Sequence, residues 1–253
     1  MLRERMREGK VAVGSFGLGH DPAVVRVAEA AGLDFLLLDY EHGTLTDSLC
    51  SQFVDVAAGL QVSLFIRCTM SDLPFVARLF DHGLDGILVA GATSVQDVSH
   101  IVQTVKFPPL GKRGLNPFVA AAEFGVQHGD DFVHGQNKRS HIWILAENQA
   151  MLADLPQISQ LPGIDGVFLG PYDLSVDLGV AGDIHHPIVA AKIEEAMTVL
   201  RRYQICAGIY AKDKDVAIPW VQKGMSFVVV GFDWSLLQTA WANTVEFLSR
   251  DSE

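Results

Sequence analysis

One rhythm repeats eight times along this chain. A short apolar run, often β-branched, leads into a turn and then into a longer segment with apolar residues at i, i+3 and i+4. The runs that read as strands are Val11–Phe16, Phe35–Asp39, Val62–Ile66, Gly86–Val89, Ile142–Ala146, Gly166–Leu169, Cys206–Ile209 and Phe227–Val230. The segments that read as helices are Pro22–Ala31, Thr46–Ala58, Asp72–His82, Val95–Val105, Gln149–Leu155, Pro187–Tyr203, Lys214–Gly224 and Ser235–Leu248. The strand runs do not alternate between apolar and polar residues, as expected where a parallel sheet is covered on both faces. Eight such units in 253 residues predict an α/β protein, a single (β/α)8 TIM barrel. A doubly wound sheet is the competing reading, but the first turn, Ser15-Phe16-Gly17-Leu18-Gly19-His20, lacks a full G-x-G-x-x-G.

The rhythm breaks once. Residues 106–140 hold Pro108-Pro109, Pro117 and several glycines, and read as an extended loop of the kind that serves as a lid or binding loop. No linker divides the chain, so residues 1–253 are expected to form one domain. With 30 acidic and 19 basic residues the net charge is -11, which argues against nucleic acid or an anionic membrane as partner. The three cysteines form no C-x-x-C pair, and no run approaches the roughly 18 apolar residues of a membrane span. A soluble protein of the reducing cytoplasm is expected.

In a barrel of this type the chemistry sits at the C-terminal ends of the strands. Asp39-Tyr40-Glu41-His42 follows the second run, Arg67 closes the third, Glu147 follows the fifth, and Gly170-Pro171-Tyr172-Asp173 follows the sixth. Alone, Glu147 or Asp173 reads equally well as a cap or an ion-pair partner. Together, on neighbouring strands, they suit a hard divalent cation such as Mg²⁺ or Mn²⁺ that keeps several waters. Histidine is the side chain whose unperturbed pKa lies near neutrality, so His42 is the acid–base candidate, with Asp39 placed to orient its imidazole. Arg67, in an apolar setting, needs an anion, either a protein carboxylate or a substrate oxyanion. Ser15 and Ser175 lie in no G-x-S-x-G elbow, and Lys212 reads as a surface residue rather than a Schiff-base lysine.

Taken in order, Asp39-x-Glu41-His42, Arg67, Phe107-Pro108-Pro109-x-Gly111-x-Arg113-Gly114, Glu147, Gly170-Pro171-x-Asp173-Leu174-Ser175 and Val229-Val230-Gly231-x-Asp233 form a familiar set. The chain resembles the class II, metal-dependent pyruvate aldolases of the HpcH/HpaI family, whose members include 4-hydroxy-2-oxoheptanedioate aldolases. The resemblance covers nearly the whole chain. It implies reversible cleavage of a 4-hydroxy-2-oxo acid to pyruvate and an aldehyde through a metal-stabilised enolate. It further implies that Glu147 and Asp173 hold Mg²⁺, Mn²⁺ or Co²⁺, that amides around Gly170, Tyr172 and Asp173 receive the pyruvate carboxylate, and that Arg67 stabilises the enolate oxygen. His42, oriented by Asp39, would move the proton at the aldehyde oxygen.

Homo-oligomers are implied too: hexamers built as trimers of dimers, with the last helix exchanged between subunits. Two positions depart from the pattern: Leu145 stands where a Gln is frequent, and Ala90-Gly91-Ala92 where Pro-x-Val is frequent. These departures bear on the aldehyde, whose part of the pocket Phe16, Leu18 and Tyr210 are placed to line. Citryl- or malyl-CoA lyase chemistry, oxaloacetate decarboxylation, and keto-acid binding without turnover are the other readings of the same residues.

Overall fold

The computed structural model describes residues 2–250. The one-domain expectation also takes in Met1 and residues 251–253, which lie outside the described residues. Eight parallel strands close into a barrel in sequence order. They are β1 (Ala12–Gly17), β2 (Phe35–Asp39), β3 (Ser63–Thr69), β4 (Gly86–Ala90), β5 (His141–Ala146), β6 (Gly166–Leu169), β7 (Cys206–Ala211) and β8 (Phe227–Phe232). The expected (β/α)8 architecture is therefore present. A doubly wound sheet is excluded, because β1 pairs with both β2 and β8.

The continuous apolar character of the strands has a direct cause. Outward residues such as Leu36, Ile66, Val89, Ile144, Val167 and Ile209 are buried under the surrounding helices. Inward residues such as Phe35, Phe65, Trp143, Phe168 and Phe227 fill the barrel itself. Both faces are dry, so no position needs to be polar. At the base of the barrel the aromatic rings stack, with Phe35 and Trp143 lying 3.9 and 4.1 Å from Phe227 between ring centroids. The floor is closed by α1 (Leu2–Arg7), whose Leu2 and Met6 join the interior cluster and whose Arg3 pairs with Asp165.

The outer layer follows the periodic segments: α2 (Val24–Ala30), α3 (Asp47–Ala57), α4 (Leu73–Leu79), α5 (Val95–Val105), α6 (Gly129–Arg139), α7 (Gln149–Ile158), α8 (Pro171–Asp177), α9 (Pro187–Arg202), α10 (Lys214–Gln222) and α11 (Asp233–Arg250). Thr46, Ser94, Asn148 and Asp213 each accept a first-turn backbone N–H, which fixes the starts of α3, α5, α7 and α10. Asp72 does not cap α4 with its side chain; its carboxylate accepts from Thr69 instead. Likewise α2 starts at Val24, two residues later than the Pro22–Ala31 segment reads, with Asp21 accepting the Ala23 N–H.

Residues 106–140 are more ordered than an extended loop. They contain a 3₁₀ turn over Ala120–Gly125 and the helix α6. The Lys106 ammonium is buried and donates to the carbonyls of Asn137 and Ser140. Asn137 in turn exchanges hydrogen bonds with the backbone of Phe107. Phe107, Ala122 and Phe132 form a small core of their own. The sequence hides this because the polar and glycine-rich pattern of the segment carries no strong period, and its stability comes from contacts thirty residues apart.

The last helix is the other departure. α11 carries Trp241, Val245, Phe247 and Leu248 exposed on its surface, with Trp241 64 % accessible. Beside its first turn an apolar groove of about 650 Å³ opens against α2, lined by Val24, Val27, Leu33 and Leu237 among others. An amphipathic helix that keeps its apolar residues in water is not covered by its own barrel.

Candidate active site

The register of the sheet builds the site. Asp39 of β2 lies directly beside Arg67 of β3. The guanidinium grips the carboxylate with two nitrogens, Nε to Oδ1 at 2.9 Å and Nη2 to Oδ2 at 2.5 Å. Asp39 is 1 % exposed and Arg67 14 %, so this is a bidentate pair shielded from water. The guanidinium carbon also lies 4.6 Å from the centroid of the Phe16 ring. Nε and Nη2 are committed to Asp39, which leaves the Nη1 edge to meet an oxyanion.

This arrangement corrects one expectation. Asp39 does not hold the imidazole of His42. Its Oδ1 accepts the backbone N–H groups of Glu41 and His42, each at 3.2 Å, and so folds the loop after β2 around itself. The imidazole is 68 % exposed and faces Glu41, with Nε2 3.9 Å from Oε2. Glu41 in turn lies 3.5 Å from Arg67 Nε. Burial pushes the Glu41 carboxyl above the usual glutamate range, opposed by Arg67 and His42 and reinforced by Asp39 and Asp173. Glu41 thus links the guanidinium to the imidazole. The sequence placed it inside the motif but gave it no task.

Glu147 follows β5, and pairing of Ala146 with Leu169 sets it beside Gly170. A side chain at position 170 would stand 3.1 Å from the Glu147 Cβ and 3.2 Å from Leu145, so any larger residue would press on both. Glu147 Oε1 accepts the N–H of Gly91 at 2.9 Å. Gly91 has φ of 73°, a conformation that favours glycine, so the departure at Ala90-Gly91-Ala92 supplies an amide that aims Glu147. Asp173 stands in the first turn of α8. Burial raises the Glu147 carboxyl above its ordinary range; the Gly91 N–H opposes this, and the negative charges of Asp173 and Glu41 add to it.

Another expectation changes at Gly170. Its N–H donates to the Ala146 carbonyl at 3.1 Å and is not available to a ligand. Pro171 has no N–H, so Tyr172 and Asp173 supply the first free amides of α8. The Ser175 hydroxyl donates to the Tyr172 carbonyl and accepts the Gly182 N–H, a structural task that agrees with its exclusion as nucleophile. Lys212 is exposed, 3.9 Å from Asp213, and lines no part of this site.

His42, Arg67, Gly170 and Asp173 border one cavity of about 380 Å³ at the C-terminal ends of the strands. Leu145 and Phe168 form its floor, and Phe16, Tyr172, Tyr210 and Phe232 its walls. Leu18 is not among its lining residues; Phe168 and Phe232 are, although the sequence did not single them out. Among the described residues no group of three or more His, Cys, Asp or Glu side chains forms a closed metal cage. The donor set still fits a hard divalent ion. Two carboxylates, one with its charged form disfavoured by burial and by like charge, are what Mg²⁺ or Mn²⁺ takes when water and substrate fill its other positions.

Similarity to known proteins identifies the family. The sequence profile of the HpcH/HpaI aldolase/citrate lyase family matches residues 13–240, and the chain belongs to that family. It is accordingly a carbon–carbon lyase. A hydroxypyruvate/pyruvate aldolase of Pseudomonas aeruginosa is 34 % identical over 93 % of this chain and 88 % of its own. A 4-hydroxy-2-oxo-heptane-1,7-dioate aldolase of Klebsiella pneumoniae is 31 % identical over 82 % of this chain and 78 % of its own. The solved HpcH/HpaI aldolase of Desulfitobacterium hafniense superposes with a TM-score of 0.87 at 27 % identity, covering 98 % of this chain and 96 % of that one. No helix among the described residues is long and apolar enough to cross a membrane.

Proposed function

We propose that this protein is a divalent-metal-dependent class II aldolase that reversibly cleaves a 4-hydroxy-2-oxo acid to pyruvate and an aldehyde. The observation that carries the reading is a cavity bordered by Asp173 and by the Asp39-bound guanidinium of Arg67, with Glu147 set beside its Gly170 and electrostatically coupled to Asp173. A divalent ion (Mg²⁺, Mn²⁺ or Co²⁺) held by the two acids would supply Lewis-acid polarisation of the keto group.

The remaining tasks fall to the chain's own residues. The amides of Tyr172 and Asp173 orient the pyruvate carboxylate. His42 takes the proton of the 4-hydroxyl, and Glu41 beside it offsets the imidazolium charge. The C3–C4 bond then breaks as the aldehyde departs, its electron pair forming the C2–C3 double bond and moving charge onto the C2 oxygen, and C3 afterwards takes a proton to give pyruvate. Arg67 meets the oxyanion with its Nη1 edge, already oriented by Asp39 and so needing no reorganisation. Pyruvate release from a panel of hydroxy-oxo acids, with each metal in turn, tests the reading. Full activity after exhaustive chelation would contradict it, as would inactivation by borohydride in the presence of pyruvate.

The raised Glu147 carboxyl makes a second, activity-free test. Its folded pKa lies above the unfolded one, so the folded state binds more protons between the two values. Stability of the metal-free protein from this group therefore falls as pH rises from about 4.5 through the raised value, and a bound cation reverses that loss at neutral pH. Saturating Mn²⁺ at pH 7 is expected to raise Tm by on the order of 5–10 °C, and less at pH 5. A calorimetric scan that shows no Mn²⁺ shift at either pH would count against the site.

The exposed apolar residues of α11 support a homo-oligomer that covers this helix; we take the helix to be exchanged between subunits in a hexamer of three dimers, acting in the cytoplasm. Trp241→Glu puts a charge on the face that the exchange would bury. Sedimentation is expected to show smaller species for the variant, and an unchanged distribution would remove α11 from the interface.

A further inference from the structure

The cavity has two unlike halves. One is bordered by Asp173, His42 and the guanidinium of Arg67. The other is walled by aromatic rings: Phe16 stacks on Phe232 at 4.8 Å between centroids, Tyr210 lies 5.3 Å from Phe232 and 6.0 Å from Phe16, and Tyr172 stands 6.5 Å from Tyr210. Leu145 adds an apolar floor where a polar amide would have offered a hydrogen bond. Phe16 is almost fully buried, so its ring is a fixed surface, while Tyr172 is half exposed at the mouth.

Charge decides what these walls accept. Among the described residues lining the cavity, Arg67 carries the only permanent positive charge, and Asp39 and Glu41 already lie against it. None of the described residues that line the aromatic half is a lysine. A carboxylate entering there would lose water, and the one guanidinium within its reach, over the Phe16 ring, is already shared by Asp39 and Glu41. A flat apolar group would instead cover the rings of Phe232 and Tyr210 and release water from them.

We infer that the acceptor half of this site takes an uncharged aldehyde with an aromatic or bulky apolar side chain, rather than one bearing a second carboxylate. The inference rests on the aldolase reading and goes further by naming the class of aldehyde. It sets this chain apart from its relative named for a heptane-1,7-dioate, a substrate whose second carboxylate would have no partner on these walls.

The test is addition of pyruvate, in the Mn²⁺-loaded protein, to benzaldehyde and to succinate semialdehyde. The kcat/KM for benzaldehyde is expected to exceed that for the semialdehyde at least tenfold. Tyr172→Arg, at the open mouth, is expected to move the ratio at least tenfold toward the semialdehyde; Phe232→Arg gives the same comparison from the opposite wall. A wild-type preference for the semialdehyde overturns the inference, as does a ratio unchanged in both variants. Hydrogen–deuterium exchange at the pyruvate methyl group separates the two levels. Exchange accompanied by the wrong aldehyde preference defeats only the acceptor assignment. Absence of exchange, with no addition to any aldehyde, defeats the aldolase reading and this inference with it.

Discussion

Replacing Glu147 with Gln is expected to lower pyruvate release at least a thousandfold while leaving the barrel folded. The amide can still accept the Gly91 N–H, so the local geometry survives. It carries no charge, so it cannot neutralise a divalent ion. A thousandfold loss corresponds to about 4 kcal/mol of transition-state stabilisation, within the several kcal/mol that Lewis-acid polarisation supplies. Stability should hold or rise, because burial and the neighbouring acids disfavour the charged form of Glu147 in the wild type. The measurements are turnover, Tm and Mn²⁺ binding by calorimetry. Metal-dependent turnover near the wild-type rate in this variant would remove Glu147 from the site.

Arg67→Ala is expected to lose activity and stability together, which distinguishes it from the first variant. Removal of the guanidinium leaves Asp39, 1 % exposed, without its bidentate partner. Breaking a buried pair in this way costs about 3–5 kcal/mol. Loss of the oxyanion contact is expected to reduce kcat by roughly 10²–10³. Arg67→Lys is the sharper version: it keeps the charge yet cannot form the two-pronged contact, so stability should recover in part while kcat stays low. Thermal unfolding and kcat, measured on both variants, decide. A lysine variant with full kcat would show that charge alone, not the fixed fork, does the work.

The barrel and most of its site could be read along the chain because both follow from local rules. Strands buried on two faces must be apolar throughout, and polar groups then concentrate where the strands end. Asp39, Glu41, His42 and Glu147 stand at or just after such ends, Arg67 two residues before the end of β3 and Asp173 in the first turn of the helix after β6; all but Glu41 are legible as candidates for that reason. What failed were pairings. Proximity along the chain pairs Asp39 with His42, three residues away, whereas the register of β2 against β3 pairs it with Arg67, twenty-eight residues away. Gly170 seemed a free amide, yet its N–H belongs to Ala146 of the neighbouring strand.

The pattern of burial, the eight units, the family and the side chains able to do chemistry were therefore determined by the sequence alone. The tertiary structure decided who holds whom. Gly91 aims Glu147 across 56 residues, Glu41 bridges Arg67 and His42, and four aromatic rings from β1, α8, β7 and β8 meet as one wall. Periodicity records whether a residue faces water or the interior, which depends on its own strand or helix. Partnership depends on the relative placement of different elements, and that is fixed only when the barrel closes.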